Sequence, residues 1–162
     1  MSDLTKKRTI PSPLGLLEIT ADDSSILKVR FDADNMYHDA SPLLDECEKE
    51  LTAYFEGQLE EFSVPMRLTG TEFQNKVWSE LMKIPFGKTI SYTELALRLG
   101  DLKSIRAAGT ANGKNNLPVL IPCHRVIGKN GSLVGFGGGL DRKHWLLRHE
   151  GAIPGEQMGL FE

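Results

Sequence analysis

Ser91-Tyr92-Thr93-Glu94-Leu95-Ala96-Leu97-Arg98-Leu99-Gly100 and, after a short turn, Ser104-Ile105-Arg106-Ala107-Ala108-Gly109-Thr110-Ala111-Asn112 are the two segments that decide the fold. The first opens on a serine and closes on a glycine, which are start and stop signals for a helix. The second is built from Ala, Gly and Thr, so it predicts a thin helix. Two short helices joined by a tight turn predict a helix-turn-helix. A thin second helix can approach a narrow groove that a bulky one could not enter. The same composition also suits close helix–helix packing.

Upstream of this pair, Thr71 to Met82 reads as a helix with Phe73, Val77, Trp78 and Leu81 on one face, ended by Pro85-Phe86-Gly87. Downstream, a turn-rich link leads into Leu117-Pro118-Val119-Leu120-Ile121, which predicts a short buried strand. Pro122 cannot continue a strand ladder, so Cys123 is expected at the end of a rigid element, beside His124 and Arg125. A cysteine attacks as the thiolate, which a neighbouring cation or polar partner favours. An inert buried thiol is the ordinary alternative. The His, Arg, Asn and Gly residues around Cys123 favour the reactive reading. Lys129-Asn130-Gly131 is a hairpin signal. The glycines from Gly135 to Gly139 lack the strand–loop–helix setting of a nucleotide-phosphate loop. Asp141 to Gly151 closes this half with a helix that turns Trp145, Leu146 and Leu147 to the core.

The N-terminal half reads differently. Residues 8–31 predict β structure, with a turn at Pro11-Ser12-Pro13-Leu14-Gly15 and a polar hairpin turn at Asp22-Asp23-Ser24-Ser25. Residues 42–57 predict a helix whose apolar stripe includes Cys47, taken as a core residue. Phe62 to Met66 is a final extended piece. The expected organisation is an α/β protein with a small sheet-plus-helix domain at 1–66, a mainly helical domain at 67–155 and a tail at 156–162.

The chain has 162 residues and an apolar fraction of 40%, enough for packed cores. No apolar run approaches a membrane span and the first residues lack a signal core, so a cytoplasmic location without membrane attachment is expected. The two cysteines are expected to be free thiols there. The four histidines and two cysteines show no metal-ligand spacing, so no metal and no cofactor is expected. The net charge of −3 looks wrong for a nucleic-acid partner. Residues 1–66 carry 6 Lys/Arg and 14 Asp/Glu, a balance of −8, whereas residues 67–162 carry 13 and 8, a balance of +5. The basic half is also the half with Cys123, and phosphate binding depends on a local basic face.

Ile121-Pro122-Cys123-His124-Arg125-Val126-Ile127-Gly128 resembles the active-site signature of the O6-alkylguanine-DNA alkyltransferases, also called methylated-DNA–protein-cysteine methyltransferases. The likeness runs from Phe73-Gln74 and Val77-Trp78 through Ile84-Pro85, Gly87, Ser91-Tyr92 and Arg106-Ala107 to Trp145-Leu146-Leu147 and His149-Glu150, in the right order and at the right separations. The resemblance implies a ribonuclease H-like N-terminal domain and a winged helix-turn-helix that meets double-stranded DNA through the minor groove as a monomer. It implies irreversible transfer of one alkyl group per molecule from O6-alkylguanine, and from O4-alkylthymine, to Cys123.

By resemblance, His124 is the base acting through a water, Glu150 orients it, Tyr92 donates a proton or hydrogen bond to the purine, and Asn115 braces the active-site turn. Arg106 stands where the family places an arginine that fills the gap left by a flipped base. Ala107, Ala108, Thr110, Tyr92 and Arg125 complete the expected DNA contacts. Pro118, Val126, Val134, Gly135, Phe136 and Gly137 would line the pocket, with Phe136 and Gly137 where other members can have tyrosine and serine. Some relatives carry an N-terminal zinc site, whose cysteines this chain lacks. Finally, Gln157-Met158-Gly159-Leu160-Phe161 resembles the bacterial sliding-clamp-binding pentapeptide, with Gln157, Leu160 and Phe161 as its anchors. A lesion-binding module without transfer and a Cys123–His124 thiol hydrolase are the alternatives. The first leaves Cys123 without purpose and the second leaves the helix-turn-helix unexplained.

Overall fold

The computed structural model describes residues 4–128, 136 and 138–152. The chain forms two compact units that part between Thr69 and Gly70. In the first, β1 (Lys6–Ser12), β2 (Gly15–Ala21) and β3 (Ile26–Phe31) form an antiparallel meander with β2 in the centre. Alternation sets its faces: Leu17, Ile19 and Ala21 of β2 are buried, while Leu16 is exposed. The first turn is tighter than expected, because β1 continues through Pro11, which pairs with Leu16. Proline is tolerated there because β1 is an edge strand.

Helix α1 (Pro42–Phe55) packs on all three strands. The Ser41 hydroxyl caps it by accepting from the Leu44 amide. Its buried side chains include Leu44, Cys47, Leu51 and Tyr54, so Cys47 is a core residue as its stripe position implies. Met66 forms a parallel bridge with Ile26, and the Arg67 amide donates to the Ile26 carbonyl, which keeps both residues with this unit.

The second unit opens on α2 (Glu72–Leu81), started by a capping box between Thr71 and Gln74. Gly70 is required here, because a Cβ would lie 2.6 Å from the Trp78 ring. The buried stripe of α2 begins at Val77; Phe73, one turn earlier, is 37% exposed. Helix α3 (Tyr92–Arg98), a 3₁₀ turn at Leu102–Ser104 and α4 (Ile105–Gly113) form the expected helix-turn-helix, with α4 packed on both α2 and α3. Trp78 Nε1 donates to the Ala111 carbonyl at 2.9 Å, pinning α4 to α2.

The apolar run Leu117–Ile121 is buried but is not a strand. It is a tight turn in which the Ile121 amide donates to the Leu117 carbonyl at 2.8 Å and Val119 takes a φ of 72°. A continuous apolar run has no period to distinguish the two. Here the Asn115 side chain supplies both partners the local backbone needs, accepting from the Leu117 amide and donating to the Ile121 carbonyl. A two-residue parallel ladder then pairs β4 (Ile90–Ser91) with β5 (Val126–Ile127). Helix α5 (Leu140–His149) ends the described part, burying Lys143, Leu146 and Leu147. Trp145 is only half-buried and stacks on His149. The hairpin expected at Lys129-Asn130-Gly131 lies outside the described residues. Among the described residues, no helix is long and apolar enough to cross a membrane.

Candidate active site

The β4–β5 pairing holds two segments that flank the site. β4 ends immediately before Tyr92, and β5 begins immediately after a single 3₁₀ turn, Cys123–Arg125. Tyr92, the first residue of α3, stands close enough to Cys123 for the two groups to interact electrostatically. Cys123 stands in this turn rather than at a strand end, and only 3% of it is exposed. Its amide donates to the Ile121 carbonyl at 2.8 Å. Its carbonyl accepts from the Val126 amide and from Asn112 Nδ2, the latter at 3.3 Å.

Three charged or titratable groups behind the cysteine form a closed, buried set. His124 Nε2 lies 2.8 Å from Glu150 Oε2. Arg125 donates to both Glu150 oxygens, at 2.8 and 2.9 Å, and to the Ile84 carbonyl at 2.6 Å. This corrects the expectation that Arg125 contacts DNA. Its guanidinium is committed to a bidentate pair in the interior, the geometry in which arginine holds carboxylates most firmly. Gly87, with a φ of 81°, leaves room beside the Glu150 backbone, where a Cβ would come within 3.2 Å of its carbonyl oxygen.

The protonation states follow from burial. Burial lowers the His124 pKa below its ordinary value, against the pull of Glu150, so the imidazole is neutral at pH 7. Burial pushes the Glu150 carboxyl up, but hydrogen bonds from His124 and Arg125 outweigh it and hold the group well below the usual carboxylate range. With His124 neutral, Arg125 is the group whose charge keeps Glu150 ionised. The ionised carboxylate requires the Nε2–H tautomer, which leaves His124 Nδ1 as an acceptor. That Nδ1 is buried and has no hydrogen-bond partner among the described residues.

Burial pushes the Cys123 thiol up to about 11, opposed by the Asn115 side chain, the Lys143 ammonium and the residue's own amide. Lys143 is fully buried, donates to the Val126 carbonyl at 2.6 Å and stands 5.8 Å from the centre of the Tyr92 ring. Burial lowers its pKa to about 8, and Cys123 pulls it back up. Sequence reasoning missed this lysine, because in Asp141-Arg142-Lys143-His144 it looks like one more charge on a helix surface. Burial, then proximity to Cys123, raises the Tyr92 phenol to about 12, with a hydrogen bond from Asn112 opposing.

On α4, Arg106, Ala107 and Thr110 are exposed on one side. Ala108, expected with them, is fully buried. Its helical position turns it toward the packed side of α4, so it cannot touch an external partner. Pro118 and Val126 are buried close to Cys123 in the chain. Phe136 is half-buried and its carbonyl accepts from the Gly139 amide. Val134, Gly135, Gly137, Gln157, Leu160 and Phe161 lie outside the described residues. Among the described residues, no group of three His, Cys, Asp or Glu side chains could hold a metal ion.

Two family models match the chain. The DNA-binding domain of 6-O-methylguanine DNA methyltransferase covers residues 72–152, and the ribonuclease-like domain of the same proteins covers residues 5–68. The methylated-DNA–protein-cysteine methyltransferase of Mycolicibacterium paratuberculosis is 41% identical over 96% of this chain and 98% of its own length. The constitutive Bacillus subtilis protein of that name is 39% identical over 80% of this chain and 85% of its own. Among solved structures, the Mycobacterium tuberculosis OGT in complex with DNA matches with a TM-score of 0.83 at 40% identity, covering 96% of this chain and 99% of that one. On this evidence the chain belongs to the 6-O-methylguanine DNA methyltransferase family.

Proposed function

We propose that the protein repairs alkylated DNA by moving the alkyl group from O6 of guanine, and from O4 of thymine, to its own Cys123 sulfur. The observation that carries this reading is the closed set behind Cys123. A neutral His124 is oriented by Glu150 through Nε2 and keeps a basic Nδ1, one residue from a thiol whose polar neighbours favour the thiolate. This is the order nucleophile, base, orienter. A water bridging the thiol and Nδ1 carries the proton away. The sulfur–carbon bond forms as the carbon–O6 bond breaks, and the base leaves as guanine once it has taken up a proton. Tyr92 supplies a hydrogen bond to the departing base. Asn115 holds the turn that presents the sulfur. The product is a thioether that no group in the chain can reverse, so each molecule acts once.

The target carbon is out of reach in a stacked duplex, so the nucleotide must be flipped out. We assign DNA docking to the exposed side of α4, in the minor groove, where its small residues allow close approach. Arg106 fills the vacated stack, with Ala107 and Thr110 against the groove. The protein acts as a cytoplasmic monomer. The tail anchors Gln157, Leu160 and Phe161 tether it to the bacterial sliding clamp.

The test uses duplex DNA carrying labelled O6-methylguanine. Label should move to protein and stop at one equivalent. Arg106→Ala should slow repair of the duplex far more than reaction with free O6-benzylguanine, because the flipping cost of a few kcal/mol falls only on the duplex. Turnover beyond one equivalent, or equal losses on the two substrates, would refute the corresponding part.

A further inference from the structure

The buried residues of α4 are Ala108, Ala111 and Asn112, and only Asn112 is polar. It is 1% exposed. Burying an amide without partners is unfavourable, so an apolar side chain would pack this position at lower cost. Asn112 instead makes two bonds into the site. Its Nδ2 donates to the Cys123 carbonyl, eleven residues away, at 3.3 Å. The same side chain hydrogen-bonds the Tyr92 phenol in the sense that favours the phenolate, which makes the amide the donor there as well. An Nδ2 group has two hydrogens and can serve both oxygens. Asn112 Oδ1 accepts nothing among the described residues.

We propose that Asn112 is a positioning residue for alkyl transfer, locking the Cys123 carbonyl and the Tyr92 hydroxyl to the helix assigned to the DNA groove. Nucleophile and proton donor then hold a fixed spacing and follow α4 as it seats. The inference rests on the alkyl-transfer reading above. Asn115 holds the approach to Cys123 from the preceding turn, whereas Asn112 holds it from the helix.

Asn112→Leu keeps the volume and removes the donor; Asn112→Asp keeps the shape and sets a carboxylate oxygen against the Cys123 carbonyl. Single-turnover kinetics on methylated duplex and on free O6-benzylguanine separate the maximal rate from the half-saturating concentration. The maximal rate should fall roughly 10- to 100-fold on both substrates, the scale of a small misplacement of reacting groups. The half-saturating duplex concentration should not change, and Asn112→Asp should fall at least as far as Asn112→Leu. Wild-type maximal rates, or a loss confined to the half-saturating concentration, overturn the proposal. So does a rate loss no larger than the loss of folded protein read from melting curves. If Asn112→Leu does not fold, Asn112→Met, which adapts to irregular space, takes its place. A wild-type protein that leaves the label on DNA sinks the underlying reading, whereas active wild type with equally active variants sinks only this inference.

Discussion

Cys47 and Cys123 are equally hidden, at 0% and 3% exposure, one in each unit, and they differ in what surrounds them. Burial pushes both thiols up, to about 12 for Cys47 and about 11 for Cys123. Around Cys47 the carboxylates of Glu50, Glu46 and Glu48 push in the same direction, and only Arg8 opposes. Around Cys123 the Asn115 amide, the Lys143 ammonium and its own N–H all favour the thiolate. Burial alone therefore does not distinguish a structural cysteine from a reactive one; the sign of its neighbours does. The buried arginines repeat the contrast. Arg8 pairs with Asp45 and Glu48, whose side chains are 70% and 40% exposed. Arg125 pairs with Glu150, which no solvent reaches. The first unit lets its ions lean into water, and the second seals them behind the sulfur.

The largest expected effect tests the arginines. Arg125→Ala removes the bidentate partner of the buried Glu150 carboxylate and should cost about 3–5 kcal/mol of stability. Arg8→Ala lets Asp45 and Glu48 rehydrate and should cost about 1–2 kcal/mol. Denaturant midpoints compare the two, and equal losses would erase the distinction between the units.

Glu150→Gln keeps the shape but removes the charge that fixes the His124 tautomer. The maximal transfer rate should fall about 100-fold in single-turnover kinetics, within the usual range for a disabled base. A wild-type rate would remove Glu150 from the mechanism. The same variant changes the response to acid. A carboxyl held below its ordinary value contributes stability that is complete above its unfolded value of 4.5 and is lost as pH falls below it. Acid titrations should therefore show a smaller loss in Glu150→Gln than in the wild type.

Lys143→Met sharpens the comparison of the thiols, because it takes from Cys123 a buried cation that favours its thiolate. A rise of one unit in the thiol pKa would slow reaction with free O6-benzylguanine about tenfold at pH 7. The wild-type advantage should fade as pH passes about 8, where Lys143 loses its charge. A pH–rate profile identical to the wild type would exclude the lysine from activating the sulfur.

Much of this was legible in the sequence, and the gaps have physical causes. The helix-turn-helix showed because Ser91 and Gly100 mark its first helix and small residues mark its second. Cys123, His124, Glu150, Tyr92 and Asn115 could be picked out by resemblance, and the fold joins His124 to Glu150 and sets Asn115 and Tyr92 near Cys123. The apolar run Leu117–Ile121 predicts a strand although it is a turn, because a run of apolar residues carries no period. The resemblance places Arg125 among the DNA contacts, whereas the structure turns its guanidinium inward. Its partner, Glu150, is 25 residues away, and only tertiary structure reveals the pair. Lys143 and Ala108 failed for the same reason, since which face of a short helix is buried depends on what packs against it. Asn112 was seen only as the end of a helix, because a single bond to the Cys123 carbonyl leaves no mark on sequence pattern.

Peptide mapping after reaction with duplex DNA containing O6-methylguanine tests most directly the claim that neighbours, not exposure, choose the acceptor. One methyl group on the peptide containing Cys123, none on that containing Cys47, and an unchanged rate in Cys47→Ala are the predicted results. Methyl on Cys47, or transfer that survives Cys123→Ser, would contradict the account.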